Sequence, residues 1–498
     1  MRVSTDIIPE FISSITFSPS ETSLLYVAEQ NPPSSSPEDT FAEFRFAPSF
    51  GEGLPDSKRP AIFILSWSEA DLRLYQIAVS ALDKTVHFGQ VVFRTDTELY
   101  ATGHGLTSED RLLGIKYCTN RPLGIWRVNF TLQGTASTGE CIAIDGKAEK
   151  LTPSHLSCRS PRIFVSSTGP KLAYLSCGLG GPHMSTHSLH LLDLPVSSNS
   201  SPAHPTTLVP IVHEPAPNSF PGLYPPYSLP SSFLVNHTSW NAPKVVTHST
   251  WGSRNTIILI DTQTGDITNL TPIDEFYWNW TLLTTDGKDR IVCVRSSPSI
   301  PHQVLLGTVS ATLSVEWTIV HELTLTEDLK SALSSLEAKI IPIPDRHPVE
   351  AIVIKSVRSS NNQDGAAPCI LTPHGGPHST TTTEFNPLTA AFVLEGCKYL
   401  WCSPFQISHH LRSSDTLALP NYTGSPGFGH ASLNRLIGRC GSLDVEDCVQ
   451  SLHYLASLGY VQLGRGNVFI HGGSHGGFLG AHRTSFCLFL SFDIDGTQ

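Results

Sequence analysis

Short alternations of apolar and polar residues dominate the chain up to about residue 335. Four runs each place a polar turn before an apolar stretch of strand length, at residues 17–29, 107–118, 165–177 and 284–294. Residues 255–271, NTIILIDTQTGDITNLT, join two such stretches through a Thr-Gly-Asp turn, which predicts a β-hairpin. Hairpins repeated at these intervals are typical of propeller blades, and a pair of β-sandwiches is the alternative. The pattern therefore predicts an all-β domain, a β-propeller, over residues 1–335.

Two segments interrupt this pattern. Residues 31–40 and 196–232 are rich in Pro and Ser, which predicts long surface loops or insertions between blades. Plain solvated linker is the alternative for both.

The pattern changes after residue 336. Strands are predicted at residues 349–357, 368–376, 417–422 and 467–472, and a helix is predicted at 388–396. Residues 444–460 predict an amphipathic helix, with acidic residues in the first turn and an apolar stripe made of Val445, Cys448, Val449, Leu452, Leu455 and Ala456. Strands alternating with helices indicate a mostly parallel α/β sheet over residues 336–498.

Composition narrows the classes of function. The 498 residues carry a formal net charge of -11, and only 15% are charged, so no basic surface for nucleic acid is expected. No apolar run approaches the ~18 residues of a membrane helix, which predicts a protein without membrane segments. The eleven cysteines have irregular spacing and no C-x-x-C pair, so we expect reduced thiols and a cytoplasmic location.

Residues 472–476, Gly-Gly-Ser-His-Gly, match the G-x-S-x-G pattern of a nucleophile elbow. An apolar strand candidate precedes them, and the flanking glycines permit a strained turn with close helix and strand packing. Ser474 is therefore the predicted nucleophile. The alternative is a glycine-rich turn with an ordinary serine.

A second glycine-rich turn lies about 100 residues earlier, in LTPHGGPHS at residues 371–379. Acyl transfer needs backbone N–H groups that face the developing oxyanion, and glycines let the main chain come that close. Gly376, or alternatively Gly375, is the predicted first donor. The N–H of His475, directly after the nucleophile, is the predicted second donor.

A metal site is the alternative chemistry, because His374/His378 and His471/His475 are spaced i, i+4. Gly-Gly-Pro and Gly-Gly-Ser separate the two members of these pairs, and neither sequence favours a helix or supplies the Glu of a zinc motif. We therefore predict no metal site at these histidines.

Taken together, these motifs resemble the prolyl oligopeptidase clan of serine peptidases, and within it the acylaminoacyl-peptidase family. HGGPHS, NYTGSPGFG (421–429) and GGSHGGF (472–478) occur in the family's order, and residues 180–194 and 292–301 resemble its propeller. The resemblance implies a β-propeller followed by an α/β-hydrolase domain. It also implies release of N-acylated, commonly N-acetylated, amino acids from short blocked peptides, without a cofactor. Assembly into a homo-oligomer is left open.

The chain departs from the family in its C-terminal part. The hydrolase order is Ser, then Asp or Glu, then His, but in the 24 residues after Ser474 no histidine follows Asp493 or Asp495. We therefore expect the triad Asp and His to be absent, a truncated hydrolase domain, and little or no activity of these 498 residues. Segments 397–416 and 483–498 do not resemble the family, which indicates translated non-coding sequence.

Two other functions compete with an incomplete serine peptidase. A non-catalytic propeller protein that binds peptides or partner subunits would contain the same all-β half. A carboxylesterase or lipase would share the elbow, but it does not explain that half.

Overall fold

The computed structural model describes most of the chain. The described residues are 11–30, 41, 44, 50, 51, 53, 54, 59–67, 72–82, 85–109, 111–133, 141–195, 204–357, 368–395, 416–464 and 467–486. Residue contacts divide the chain into a first unit, residues 1–210 with 226–229, and a second unit, residues 211–225 with 230–498. This division differs from the predicted domain boundary between residues 335 and 336, which stays a prediction.

Three sheets of four or five strands make up the described part of the first unit. The first has the order β1 (Ile15–Phe17), β2 (Ser23–Glu29), β3 (Pro60–Ser66), β4 (Arg73–Ala78) and β8 (Cys141–Asp145). The second consists of β5 (Val86–Thr95), β6 (Glu98–Gly105), β7 (Leu123–Asn129) and β9 (Lys147–Lys150). The third consists of β10 (Leu156–Ser166), β11 (Gly169–Gly178), β12 (Ser188–Asp193) and β13 (Thr206–Val209).

Two further four-stranded antiparallel sheets belong to the second unit. One contains β14 (Leu234–Val235), β15 (Lys244–Trp251), β16 (Arg254–Asp261) and β17 (Ile267–Asn269). The other contains β18 (Asn279–Thr285), β19 (Arg290–Ser297), β20 (Ile300–Val309) and β21 (Val315–Glu322). The predicted hairpin of residues 255–271 is confirmed, because β16 and β17 pair across the turn at Gly265.

One predicted strand is wrong. Residues 111–118, the apolar part of the run 107–118, form no strand. Ile115 alone is fully buried there, and the carbonyl of Gly114 accepts a hydrogen bond from Arg121 Nε at 2.7 Å. Gly114 also lies against Gly51, since a Cβ on Gly51 would come 2.8 Å from the Gly114 Cα. The segment is therefore held by side-chain and close backbone contacts.

The remaining sheet, the C-terminal sheet, has the order β22 (Leu336–Pro342), β23 (Glu350–Ser356), β25 (Thr416–Asn421), β24 (Cys369–Leu371) and β26 (Val468–Ile470). All four predicted strands of this region are confirmed. The sheet is mixed, whereas a mostly parallel one was predicted: β24 pairs in parallel with β25 and β26, and β23 is antiparallel to β22 and β25. The connection from β22 to β23 is too short for a parallel crossover, so those strands form an antiparallel pair.

Five helices accompany these strands in the described residues. They are α1 (Glu327–Leu333), α2 (Pro387–Glu395), α3 (His430–Arg435), α4 (Leu443–Ser457) and α5 (His475–Phe486). The helices predicted at 388–396 and 444–460 are confirmed up to Glu395 and Ser457. Of the described helices, none has both the length and the apolar character that crossing a membrane requires.

Alternation along β23 shows how the C-terminal sheet is covered on both faces. Ala351 and Val353 belong to a buried cluster with Leu452 and Leu455 of α4. Ile352 and Ile354 belong to a second cluster, which includes Val393 of α2. Successive residues of a strand face opposite sides of a sheet, so α4 and α2 pack on opposite faces.

Several predictions fall outside the described residues. The loop at 31–40 and residues 196–203 of the segment 196–232 are among them, as are 397–415 and 487–498 of the two segments without family resemblance. Residues 483–486 continue α5.

Replacing Leu452 by Ala tests the packing of α4. Leu452 is fully buried against the C-terminal sheet, so we expect the substitution to lower the free energy of unfolding by about 2–5 kcal/mol. Urea denaturation would measure it. His453→Ala, an exposed neighbour on the same helix, should stay within about 0.5 kcal/mol. Equal effects of the two substitutions would contradict this packing.

Candidate active site

Ser474 lies at a strained turn between a strand and a helix. β26 ends at Ile470, α5 begins at His475, and Ser474 has φ 53°, which non-glycine residues rarely adopt. The carbonyl oxygen of Gly473 accepts a hydrogen bond from Gly476 N at 2.9 Å, which closes the turn. The Ser474 side chain is exposed. This is the backbone geometry of the predicted nucleophile elbow.

Close backbone contacts explain why the turn contains glycine. A Cβ on Gly476 would overlap the carbonyl oxygen of Pro373. A Cβ on Gly472 would come 2.6 Å from the carbonyl carbon of Gly476. Gly473, in contrast, has open space where its Cβ would lie. Gly476 therefore allows the elbow to pack against the turn that follows β24, and Gly472 allows the end of the strand to pass close to the first turn of α5.

Parallel pairing brings the second glycine-rich turn to the elbow. β24 and β26 are neighbours with Leu371 opposite Ile470, so the residues after both strands emerge at the same edge of the sheet. A Cβ on Gly375 would lie 3.5 Å from the Cβ of Ser474. The structure thus places the turn containing Gly375 and Gly376 beside Ser474. Their roles as oxyanion donors stay predictions.

His374 holds the peptide group of this turn, a feature that the sequence analysis missed. Its Nδ1 donates to the Gly375 carbonyl oxygen at 2.7 Å, and its Nε2 lies 2.8 Å from Ser425 Oγ. Burial lowers the pKa of His374 to about 4, so the ring is neutral at pH 7. The Gly375 carbonyl and the Gly376 N–H belong to one planar peptide group. The contact with His374 therefore also sets the orientation of the Gly376 N–H.

Tyr422 supports His374 from the end of β25. The two rings stack with centroids 4.1 Å apart, and the Tyr422 hydroxyl donates to the His374 carbonyl oxygen at 2.9 Å. Tyr422 is 1% exposed. The motif NYTGSPGFG drew attention to this stretch, but the stacking depends on the parallel pairing of β24 and β25.

His475 combines an available backbone N–H with an anchored side chain. Its backbone N–H belongs to the first turn of α5, where N–H groups have no carbonyl partner within the helix. Its ring Nε2 lies 2.7 Å from Asp444 Oδ2 of α4. Asp444 is fully buried, and its other carboxylate oxygen accepts hydrogen bonds from Gly441 N and Val445 N. The His475 side chain is thus anchored to α4, and its backbone N–H stays the predicted oxyanion donor.

A second buried acid of α4, Asp447, holds the loop after β25. It accepts a hydrogen bond from Thr423 N at 2.8 Å and forms an ion pair with Arg346 at 2.6 Å. Both acids were assigned to the polar first turn of the predicted helix. The sequence pattern does not separate these two buried acids from Glu446, which lies in the same turn and is exposed.

No base contacts the serine within the described residues. The Ser474 hydroxyl has no hydrogen-bond partner among them, and the histidines nearest in sequence have other neighbours. His471 packs edge-on against Phe392, and His482 packs against Phe478. Asp493 and Asp495 lie outside the described residues. The predicted absence of the triad Asp and His stays a prediction.

Three of the four histidines considered as metal ligands form local hydrogen bonds instead. His378 Nδ1 lies 2.9 Å from the Gly424 carbonyl oxygen, while His374 and His475 have the partners given above. Within the described part of the chain, no group of three or more His, Cys, Asp or Glu side chains could hold a metal ion.

Two protein-family models match parts of the chain. The acylamino-acid-releasing enzyme N-terminal domain matches residues 10–328, and the prolyl oligopeptidase family matches residues 412–482. The second match contains Ser474 and the α4 acids.

Curated relatives align with nearly the whole chain. Acylamino-acid-releasing enzyme 2 of Oryza sativa subsp. japonica is 28% identical over 95% of this chain and 63% of its own length. Acylamino-acid-releasing enzyme of Homo sapiens is 27% identical over 94% of this chain and 60% of its own length. The chain therefore spans about 60% of the length of these relatives.

Solved structures share the fold. Acylaminoacyl peptidase of Pyrococcus horikoshii has a TM-score of 0.58 at 13% identity, over 95% of this chain and 60% of that chain. A puromycin-hydrolyzing peptidase of Mycobacterium tuberculosis has a TM-score of 0.52 at 14% identity, over 95% of this chain and 66% of that chain.

Sheets of the propeller kind followed in sequence by an α/β-hydrolase sheet define the prolyl oligopeptidase class of serine peptidases, and the predicted fold class is confirmed. The chain belongs to the acylamino-acid-releasing enzyme family. The resemblance found in the sequence motifs is therefore also confirmed.

Two glycines of the elbow, Gly473 and Gly476, offer a matched test of its geometry. Gly476→Ala should lower the free energy of unfolding by about 1–3 kcal/mol, because the new methyl group overlaps the Pro373 carbonyl. Gly473→Ala should change it by no more than about 0.5 kcal/mol, since its Cβ meets open space. Chemical denaturation of both variants would measure this. The elbow described here would be wrong if Gly473→Ala were the more damaging substitution.

The neutral ring of His374 predicts a pH dependence of stability. Its pKa is about 4 in the folded protein against 6.5 for the free side chain, so as the pH falls the unfolded chain takes up the proton first. The contribution of the neutral His374 ring to the free energy of unfolding is fully present above about pH 6.5, and it is lost as the pH falls towards 4. We expect about 2 kcal/mol of loss between pH 7.5 and 5 from this group.

Other buried histidines also lower the free energy of unfolding as the pH falls. The contribution of His374 is therefore the difference between the pH dependence of the unmodified chain and that of His374→Gln. Urea unfolding of both proteins at several pH values between 5 and 7.5 would measure this difference. Parallel pH curves for the two proteins would contradict the assignment.

Proposed function

We propose that Ser474 is the nucleophile of a serine peptidase that releases N-acylated amino acids from the N-terminus of short blocked peptides. The observation that carries the proposal is the strained Ser474, exposed at the elbow and beside the Gly375–Gly376 turn. An acyl-enzyme would form when Ser474 Oγ attacks the carbonyl carbon of the N-acylated residue, and the shortened peptide would leave as an amine that carries the serine proton. Water would then hydrolyse the ester, which releases the N-acylated amino acid and restores the Ser474 hydroxyl.

The oxyanion of the tetrahedral intermediate needs two donors. We assign them to the N–H groups of Gly376 and His475, with Gly375 as the alternative for the first. The contacts of His374 and Asp444 support this assignment, because they restrain the two peptide groups before substrate binds. Preorganised donors stabilise the developing charge without a cost of reorganisation during the reaction.

A complete reaction also needs a base and an acid that orients it. Residues 475–498 contain His475, His482, Asp493 and Asp495, with no histidine after either aspartate. Ser474 without a base is a weakly nucleophilic hydroxyl. We therefore propose that a polypeptide of these 498 residues, assayed alone, has little or no peptidase activity.

The alternative is a non-catalytic propeller protein that binds peptides or partner subunits. A cytoplasmic location belongs to either proposal. The eight cysteines of the described residues form no disulfide bond with one another, which supports it. Homo-oligomer formation is left open in both.

Kinetics on residues 1–498 test the proposal of low activity. Hydrolysis of an acetyl-amino-acid anilide should be at least about 1,000-fold slower than the 1–10³ s⁻¹ typical of enzymes. A rate within that range that disappears in Ser474→Ala would contradict it.

Labelling tests the role of Ser474 separately. A fluorophosphonate probe should modify Ser474 of the folded chain slowly, and Ser474→Ala should remove this labelling. Mass spectrometry of the labelled peptide would identify the residue. A folded chain without labelling, or with equal labelling of Ser474→Ala, would favour the non-catalytic alternative.

A further inference from the structure

The first unit buries a positive charge on β10. The side chain of Arg159 is fully buried, with 0% of the residue exposed. Its Nε donates to the Tyr227 carbonyl oxygen at 2.7 Å, and its Nη1 donates to His187 Nε2 at 2.7 Å. Its Nη2 is buried without a hydrogen-bond partner in the described residues. Arginine stays protonated in proteins, so the interior of this unit contains a full positive charge.

No carboxylate neutralises this charge. Among the described residues, Arg159 forms no ion pair. Arginine can only donate, so in the contact with His187 the ring Nε2 accepts the hydrogen bond and the ring is neutral. Arg121 donates to the Gly114 carbonyl oxygen and to Cys118 Sγ, and has no acidic partner there either. Two other arginines of the first unit, Arg94 and Arg127, pair with Glu98 and Glu149. Arg159 and Arg121 thus lack the acidic partner that Arg94 and Arg127 have in the same unit.

The Tyr227 hydroxyl is a second hydrogen-bond donor without a partner in the described residues, and its ring lies beside the Arg159 guanidinium. The Arg159 Cζ lies 4.8 Å from the ring centroid of Tyr227, whose hydroxyl oxygen is buried without a partner in the described residues. Burial raises the pKa of Tyr227, so this hydroxyl keeps its proton and can donate it. Burial also raises the pKa of Cys177, which therefore stays a neutral thiol and supplies no negative charge.

We propose that Arg159 and Tyr227 form a binding site for one small inorganic anion, a halide such as chloride, inside the first unit. An isolated buried charge is costly unless an opposite charge or a set of hydrogen bonds accompanies it, and the groups left unused here are donors. Both donor atoms are buried, which favours a monatomic anion over a carboxylate attached to a peptide. The site is separate from Ser474 and does not depend on the proposed peptidase function.

Thermal unfolding of residues 1–498 tests this proposal. At constant ionic strength, replacing gluconate by chloride should raise Tm by roughly 2–4 °C and then saturate, because the anion binds the folded protein only. Arg159→Met should abolish the rise, because it removes the charge that holds the anion. Lys171→Gln, which removes a cation paired with Asp193 in the same unit, should keep the full rise.

Tyr227→Phe provides a milder variant in case Arg159→Met does not fold. It should keep the fold and raise the chloride concentration for half-maximal effect roughly tenfold or more, since it removes one donor to a charged group. Bromide soaked into crystals should give an anomalous peak next to Arg159 Nη2. A water molecule alone at that position, or a chloride response that is absent or unchanged in both variants, would overturn the proposal.

Discussion

The candidate active site depends on one close approach between two backbone segments. Gly476 packs so tightly against the Pro373 carbonyl that a methyl group would not fit between them. This contact is possible because β24 and β26 are parallel neighbours, so the turns that follow them leave the same edge of the sheet. If the two strands were separated or antiparallel, Ser474 and the Gly375–Gly376 turn would lie apart, and neither motif would have a partner.

Buried polar side chains around this contact restrain the peptide groups that the proposed chemistry would use. His374 binds the carbonyl of the Gly375–Gly376 peptide, and Asp444 binds the ring of His475. Both interactions are largely shielded from water. In such a low-dielectric environment a hydrogen bond is stronger than in water, and a polar group without a partner is costly. Helix α4 thus covers the sheet with Leu452 and Leu455 and anchors the elbow with Asp444.

Two buried charges of the described residues are satisfied in different ways. In the second unit, the buried Asp447 is satisfied by Arg346 and by a backbone N–H. In the first unit, Arg159 has hydrogen-bond acceptors but no counter-charge among the described residues. Asp447 has a counter-charge within the protein and needs no external partner. Arg159 has none among the described residues, which is why we propose that it binds an anion.

Local sequence was sufficient wherever neighbouring residues decide the structure. The hairpin at 255–271 follows from two apolar runs and a Gly at positive φ, and the elbow follows from an apolar strand followed by small residues around Ser474. The run 107–118 had the same kind of pattern and is not a strand, because Arg121 and Gly51 make contacts there that local spacing does not reveal.

The sequence by itself thus determined the class of fold, the family motifs and the position of the candidate nucleophile, since each rests on residues close together in the chain. Only the tertiary structure decided that Asp444 meets His475, that Tyr422 stacks on His374 and that Arg159 is buried without an acid. These contacts join residues far apart in the chain. Their physical basis is the order and direction of the strands, which bring distant polar groups into a common low-dielectric interior.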